Sequence, residues 1–203
     1  MPILAGKFAQ FMPNLYIVAG CNGAGKTTAS YSLLPGILNC QEFVNADEIA
    51  RGLSPFQPET AALAAGRLML NRIRYLMGTG VDFAFETTLA TRSYSGLISE
   101  AKRKGYRVSL VFFWLNSPEL AVNRVENRVR AGGHNIPEEV IRRRYWRGIE
   151  NLFQIYMPLC DAWAIFENSW KSPSLIAEGE KEGLPVITNQ TIWEKLMNYG
   201  KEN

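Results

Sequence analysis

Apolar positions along the chain fall into short unbroken runs, and between them lie segments with helical spacing. Leu15 to Ala19 is a β-branched run that predicts a buried strand. Gly-rich sequence follows, and Lys26 to Leu34 then predicts a helix stopped by Pro35-Gly36. Glu42 to Asn45 predicts a second strand that leads into a helix over Asp47 to Arg51. A long helical pattern runs from Glu59 to Met77, with Leu63, Leu70 and Ile73 at core spacing, and closes at Gly78-Thr79-Gly80. Val81 to Phe85 predicts a third strand, followed by a helix over Ser93 to Lys104.

Tyr106 to Leu115 is the most apolar strand, and Pro118 starts a helix that ends at Gly132-Gly133. Pro137 opens another helix that runs to Tyr156 before Pro158, and Ala162 to Phe166 predicts a fifth strand. Leu175 to Ala177 and Val186 to Thr188 predict a small β-hairpin, with a terminal helix after it. Strand alternating with helix implies an α/β fold of three layers around a central, mostly parallel sheet. In such sheets ligands bind beyond the carboxyl ends of the strands, so the residues just after each strand are the informative ones.

Composition bounds the picture without sharpening it. The chain has 203 residues, 47% hydrophobic and 20% charged, which is ordinary globular material for a single domain over 1–203. The longest apolar run, Leu110 to Leu115, is far short of the roughly 20 residues that span a bilayer. Three widely spaced cysteines and a single His argue against a disulfide framework or a structural zinc site. With no signal peptide expected at the N-terminus, the expected location is the cytoplasm. Residues 1–11 read as a dispensable extension before Met12.

Charge is unevenly distributed. Residues 101–150 carry 11 basic and 5 acidic side chains, a net of +6 within a chain whose net charge is +3. On its own such a segment is a solvated helix face.

The chemistry begins after the first strand. Gly20-Cys21-Asn22-Gly23-Ala24-Gly25-Lys26-Thr27 fits the pattern G-x-x-x-x-G-K-[ST], with Thr28 next. Such a loop turns backbone N–H groups inward to form an anion nest, and the following helix points its positive end at the same phosphates. Lys26 is expected to reach the β and γ phosphates of ATP, and the Thr27 hydroxyl to bind Mg²⁺. Cys21 within the loop is either an oxidisable thiol or a small residue that fits, and the second reading is preferred.

The strand ending at Leu115 is followed by Asn116, where a Walker B carboxylate would otherwise stand. Carboxylates follow the second and third strands instead, at Asp47 and Glu86. Asp47 is a candidate general base for an attacking hydroxyl, or a helix N-cap. Glu86 with Thr87 and Thr88 suits hydrogen bonding to a polyhydroxyl substrate or contact with the Mg²⁺ shell, or else a cap of the next helix. Arginines around Gly132-Gly133 resemble a lid over 124–147 that supplies charge to the transferred phosphoryl group, with Arg128 and Arg144 the expected contributors. His134 is expected to fix the hinge rather than titrate.

Several blocks resemble the zeta-toxin family of P-loop kinases. They are Tyr16 to Thr28, Val44 to Ala50, Phe85 to Leu89, Gly132 to Pro137, Arg143 to Tyr145 and Glu167 to Ser169. The resemblance implies an ATP- and Mg²⁺-dependent kinase, whose toxic members phosphorylate the 3′-hydroxyl of the sugar in UDP-N-acetylglucosamine and so starve peptidoglycan synthesis. It assigns Asp47 as base, Lys26 and Thr27 as phosphate and metal contacts, and Glu86 with Thr88 to the sugar-nucleotide pocket. Cys21 stands where that family's loop usually has Pro, and Thr87-Thr88 where Gly-Thr is usual. The chain resembles the stand-alone branch, for which a dedicated antitoxin is not implied. Two readings compete with a nucleotide-sugar kinase. One is a kinase for another small alcohol or a nucleic-acid end, and the other is an NTPase that transfers nothing.

Overall fold

The computed structural model describes residues 12–133 and 135–200. His134 and the N-terminal segment 1–11 lie outside the described residues, and with them the expectations placed there.

Strand β1 (Asn14–Gly20) is the centre of the molecule, with Leu15, Ile17, Val18 and Ala19 fully buried. Burial on both faces is why this run is apolar throughout rather than alternating. It leads through the Gly-rich loop into α1 (Lys26–Gly36), then β2 (Glu42–Val44), α2 (Ala46–Leu53) and α3 (Ala62–Thr79). Strand β3 (Phe83–Thr87), α4 (Tyr94–Arg103), β4 (Arg107–Trp114), α5 (Pro118–Arg130) and α6 (Glu138–Asn151) follow. A π-helical turn over Leu152–Tyr156 and a short α7 (Met157–Leu159) then lead to β5 (Ala162–Glu167), β6 (Ser174–Glu180), β7 (Val186–Ile187) and α8 (Gln190–Tyr199).

The strands form one seven-stranded sheet in the order β2-β3-β1-β4-β5-β6-β7. The first five are mutually parallel, β6 runs antiparallel to β5, and β7 antiparallel to β6. The expected C-terminal hairpin is β6 with β7, and it forms one edge of the main sheet. Helix α8 covers this part, with Trp193 stacked on Trp163 at 5.7 Å between ring centroids.

The register sets the chemistry. Val18 pairs with Glu86 and Val44 with Phe85, so Gly20, Asn45 and Glu86 emerge together at one carboxyl edge. The chain leaves β1 towards β2 on one side, while β4 lies on the other. This is the reversal at which such sheets bind ligands.

Local differences from the sequence expectations have physical causes. Helix α1 continues through Pro35 to Gly36, since a proline this close to the helix end removes only one ladder bond. A 3₁₀ turn at Pro58–Ala61 precedes α3, whose buried stripe is Ala65, Met69, Ile73 and Leu76. Leu63 lies off that stripe and is 71% exposed. Strand β3 starts two residues later than expected and carries on through Glu86 to Thr87. The expected helix to Tyr156 is interrupted by the π turn. Among the described residues no helix is long and apolar enough to cross a membrane.

Candidate active site

Gly25 has φ 80° at the start of α1, and an alanine methyl there would sit 2.6 Å from Asn168 Nδ2. Both the backbone and the close approach require glycine. Among the described residues no side chain caps α1, so its first amides face the loop interior. The loop is held from behind by main-chain acceptors. Asn168 Nδ2 donates to Ala24 O over 2.7 Å, and Arg124 donates to Gly23 O over 3.4 Å and to Ser169 O over 2.9 Å. The Asn116 amide in turn donates to Ser169 Oγ over 2.8 Å.

Glu86 is the hub of the site. Its Oε2 accepts from Thr27 Oγ1 over 2.8 Å and from Asn45 Nδ2 over 2.9 Å, while Oε1 lies 3.5 Å from Lys26 Nζ. Lys26, only 6% exposed, also donates to Cys21 O over 3.0 Å. A buried ammonium is tolerable only with such partners. Thr27 and Glu86 present hard oxygen atoms at the foot of the phosphate loop, the donor chemistry that Mg²⁺ takes beside nucleotide phosphates. Among the described residues no group of three His, Cys, Asp or Glu side chains gathers to hold a metal alone. The residues present therefore fit a cation shared with a bound nucleotide.

Asp47 is not the N-cap of α2. That position belongs to Asn45, whose Oδ1 accepts from the amides of Asp47 over 2.8 Å and Glu48 over 3.4 Å. Capping by Asn45 leaves the Asp47 carboxylate uncommitted, and among the described residues no side chain donates a hydrogen bond to it. Its negative charge acts on Arg144 across the cavity.

A cavity of about 320 Å³ opens between these groups. Its floor is Asn22, Lys26, Asn45 and Glu86. One wall is Thr87 at the end of β3 with Thr88, Ala90 and Thr91 of the loop after it, and the other is Arg143, Arg144 and Arg147 of α6. Arg144 donates to Asn22 Oδ1 over 3.2 Å, which bolts α6 to the phosphate loop. Burial lowers its guanidinium pKa from the usual arginine value, and the Asp47 carboxylate opposes that shift. Thr87 and Thr88 turn their hydroxyls to the amides of Leu89 over 3.1 Å and Ala90 over 3.4 Å, shaping a tight loop.

Arg128 does not line this cavity. Its main-chain carbonyl accepts from the Gly133 amide over 2.8 Å, and Gly133 packs on its side chain. Arg142 is occupied at the surface by Glu119 at 2.5 Å and Glu138 at 2.7 Å. Helix α6 is fixed in place by Tyr145, whose hydroxyl donates to Leu115 O over 2.6 Å. Thr28 is exposed on α1 and lies off the cavity. Burial pushes the Cys21 thiol up to about 11, against the Lys26 charge, so it is protonated near neutrality and packs as a small apolar side chain.

The site also draws on Asn45, to which the sequence reading gave no role, and on Arg143 and Arg147, which it placed in the lid without singling them out. Asn22 and Asn45 are only 5% and 6% exposed. Asn directly after an apolar strand was the available signal.

Comparison with known proteins places this geometry. The structure aligns with a chain of the AvrRxo1-ORF1:AvrRxo1-ORF2 complex at a TM-score of 0.75 and 17% identity. That alignment covers 91% of this chain but only 63% of the other, so the chain spans under two thirds of that protein's length. It also aligns with a protein of the PezAT toxin–antitoxin system of Streptococcus pneumoniae at a TM-score of 0.63 and 17% identity, covering 98% of this chain and 92% of that one. An uncharacterized protein of Haemophilus influenzae is 30% identical over 126 residues, 62% of this chain and 88% of its own length. At these identities the solved structures establish a shared fold. Residues 3–157, which contain the phosphate loop, Asp47, the Glu86 hub and the Arg face of α6, match the Zeta toxin family, and the chain belongs to it.

Proposed function

We propose that the chain is an ATP-dependent kinase that transfers the γ-phosphoryl group to a hydroxyl of a nucleotide sugar such as UDP-N-acetylglucosamine. The observation that carries this reading is the single cavity that joins Lys26 and the Thr27–Glu86 pair to an uncommitted Asp47 carboxylate. A switch that only binds nucleotide has no need of a free carboxylate facing the phosphate end.

In this reading the amides of Gly20 to Thr28 and Lys26 hold the ATP phosphates. Thr27, with Glu86 behind it, would hold Mg²⁺, which neutralises phosphate charge. The acceptor lies along Thr87, Thr88 and Thr91, whose hydroxyl-rich wall suits a polyhydroxyl compound. Asp47 takes the proton of the attacking hydroxyl as its oxygen bonds to the γ phosphorus, and the bond to the β–γ bridging oxygen breaks to release ADP. Arg144 offers its guanidinium to the charge that develops on the transferred group. Arg128, away from the cavity, is the weaker of the two expected arginines. The three buried, free cysteines suit the cytoplasm, where ATP is the donor. No antitoxin is needed for this chemistry.

The test is incubation with γ-labelled ATP and a panel of nucleotide sugars, small polyols and an oligonucleotide with a free 5′-hydroxyl. One labelled nucleotide sugar is the expected product. Label on the oligonucleotide alone would move the acceptor to nucleic acid, and free phosphate with every acceptor would refute the kinase. Asp47→Asn is expected to lower transfer roughly 10²- to 10⁴-fold while ATP affinity stays within a few-fold.

A further inference from the structure

We infer that Asn45 is a positioning residue that couples the helix bearing Asp47 to the Thr27–Glu86 pair. This rests on the reading of the phosphate loop given above.

The side chain of Asn45 is 6% exposed and has four partners. Two of them are the main-chain amides of Asp47 and Glu48, which are donors only, so the atom facing them must be the amide oxygen. The other end is therefore the NH₂ group, and its orientation is not a free choice. It donates to Glu86 Oε2 over 2.9 Å and approaches Thr27 Oγ1 at 3.4 Å.

The consequence runs through Glu86. With Asn45 and Thr27 on Oε2 and Lys26 beside Oε1, the carboxylate is locked in one rotamer. The Thr27 proton is committed to Oε2, and a lone pair of Thr27 Oγ1 is left for a cation. The same amide fixes where α2 begins, and so where Asp47 stands on its first turn. One side chain thus sets two distances that the proposed transfer depends on. Register makes this local, because pairing of Val44 with Phe85 brings residues 45 and 86 out of the sheet side by side.

The cap and the amide donor can be separated. Serine caps a helix about as well as asparagine, and glycine nearly as well, but neither reaches Glu86. ATP affinity of the full chain is measured by calorimetry in Mg²⁺ and in EDTA, beside Tm, for wild type, Asn45→Ser and Asn45→Gly. The expected result for Asn45→Ser is a Tm close to wild type and unchanged affinity in EDTA. Its Mg²⁺-dependent gain in affinity should fall roughly 10- to 100-fold, the usual effect of losing an outer-shell partner. Asn45→Gly should lose the same gain, and it decides the matter if the serine variant folds poorly.

A variant that keeps the full Mg²⁺ gain, whatever its Tm, shows Asn45 to be only a helix cap and overturns the inference. So does a wild type whose ATP affinity ignores Mg²⁺. A wild type that binds ATP with the Mg²⁺ gain but phosphorylates nothing in the acceptor panel refutes the kinase, while the Asn45 variants still decide this point by binding.

Discussion

Asn151 donates its side-chain amide to the carbonyl of Leu89 over 2.7 Å, tying the end of α6 to the loop after β3. Leu89 is fully buried and has φ 56°, a left-handed conformation that a leucine adopts only under constraint. Tyr156 donates to Thr91 O in the same loop. In a regular α-helix residues five apart point about 140° away from one another. The wider π turn between them closes that angle and lets both side chains hold one loop.

Replacing Asn151 by alanine leaves a buried carbonyl without its donor, at a cost of about 1–3 kcal/mol. For a chain of this size that is a fall in Tm of roughly 2–4 °C per kcal/mol, checked by calorimetry. Gly148→Ala should act on the acceptor side alone, since its methyl would meet Thr88 O at 2.6 Å. The KM for the acceptor should rise with ATP affinity unchanged, and an equal loss of both would show that the loop does not act locally.

The two expected arginines should separate sharply. Arg144→Gln removes the only guanidinium bonded to the phosphate loop through Asn22 among the described residues, and kcat should fall roughly 10²- to 10³-fold. Arg128→Gln, off the cavity, should retain most of the wild-type rate. Steady-state kinetics of both variants decide it, and the reverse ranking would relocate the transferred group.

Asn168→Ala removes the bond to Ala24 O behind the phosphate loop. One such hydrogen bond corresponds to about 1 kcal/mol, so ATP affinity should weaken several-fold. Acceptor KM should be unaffected. An unchanged ATP affinity would mean that the loop holds its shape without this support.

The thiols give a pH test. Burial pushes Cys21 and Cys40 up to about 11 and Cys160 up to about 12, from 9.0. These folded-state values lie above the unfolded one, so their contribution to stability is complete below pH 9 and is lost as pH rises through about 11 to 12. Denaturant midpoints should be level from pH 7 to pH 9 and decline above it. A thiol reagent at pH 7.5 should find no fast-reacting cysteine in the native chain and all three after unfolding. Rapid native labelling of Cys21 would reopen a redox role.

Much of the framework was legible because its signals are local. The β-branched run at Leu15–Ala19, the glycine spacing up to Lys26 and the strand-end positions of Asp47 and Glu86 each announce themselves within a few residues. What could not be read were partnerships across the sheet. Glu86 as hub for Lys26, Thr27 and Asn45 depends on strand order, which places β3 between β1 and β2 although it follows both in sequence. Asp47 and Asn45 are equally good caps in composition, and only the start of α2 decides between them. Arg128 and Arg144 looked alike as members of a basic segment, and helix phase is what separates them. The unbroken helix expected to Tyr156 failed at the π turn, which no periodicity in the sequence marks.

The two edges of the sheet have a bearing on assembly. Strand β2 has three residues and β7 only two, so neither outer margin offers a long row of unpaired amides and carbonyls. Short margins of this kind are poor templates for strand addition. Strand addition at either margin of the described sheet is therefore disfavoured, which leaves its helices and loops as the better surfaces for contact between copies.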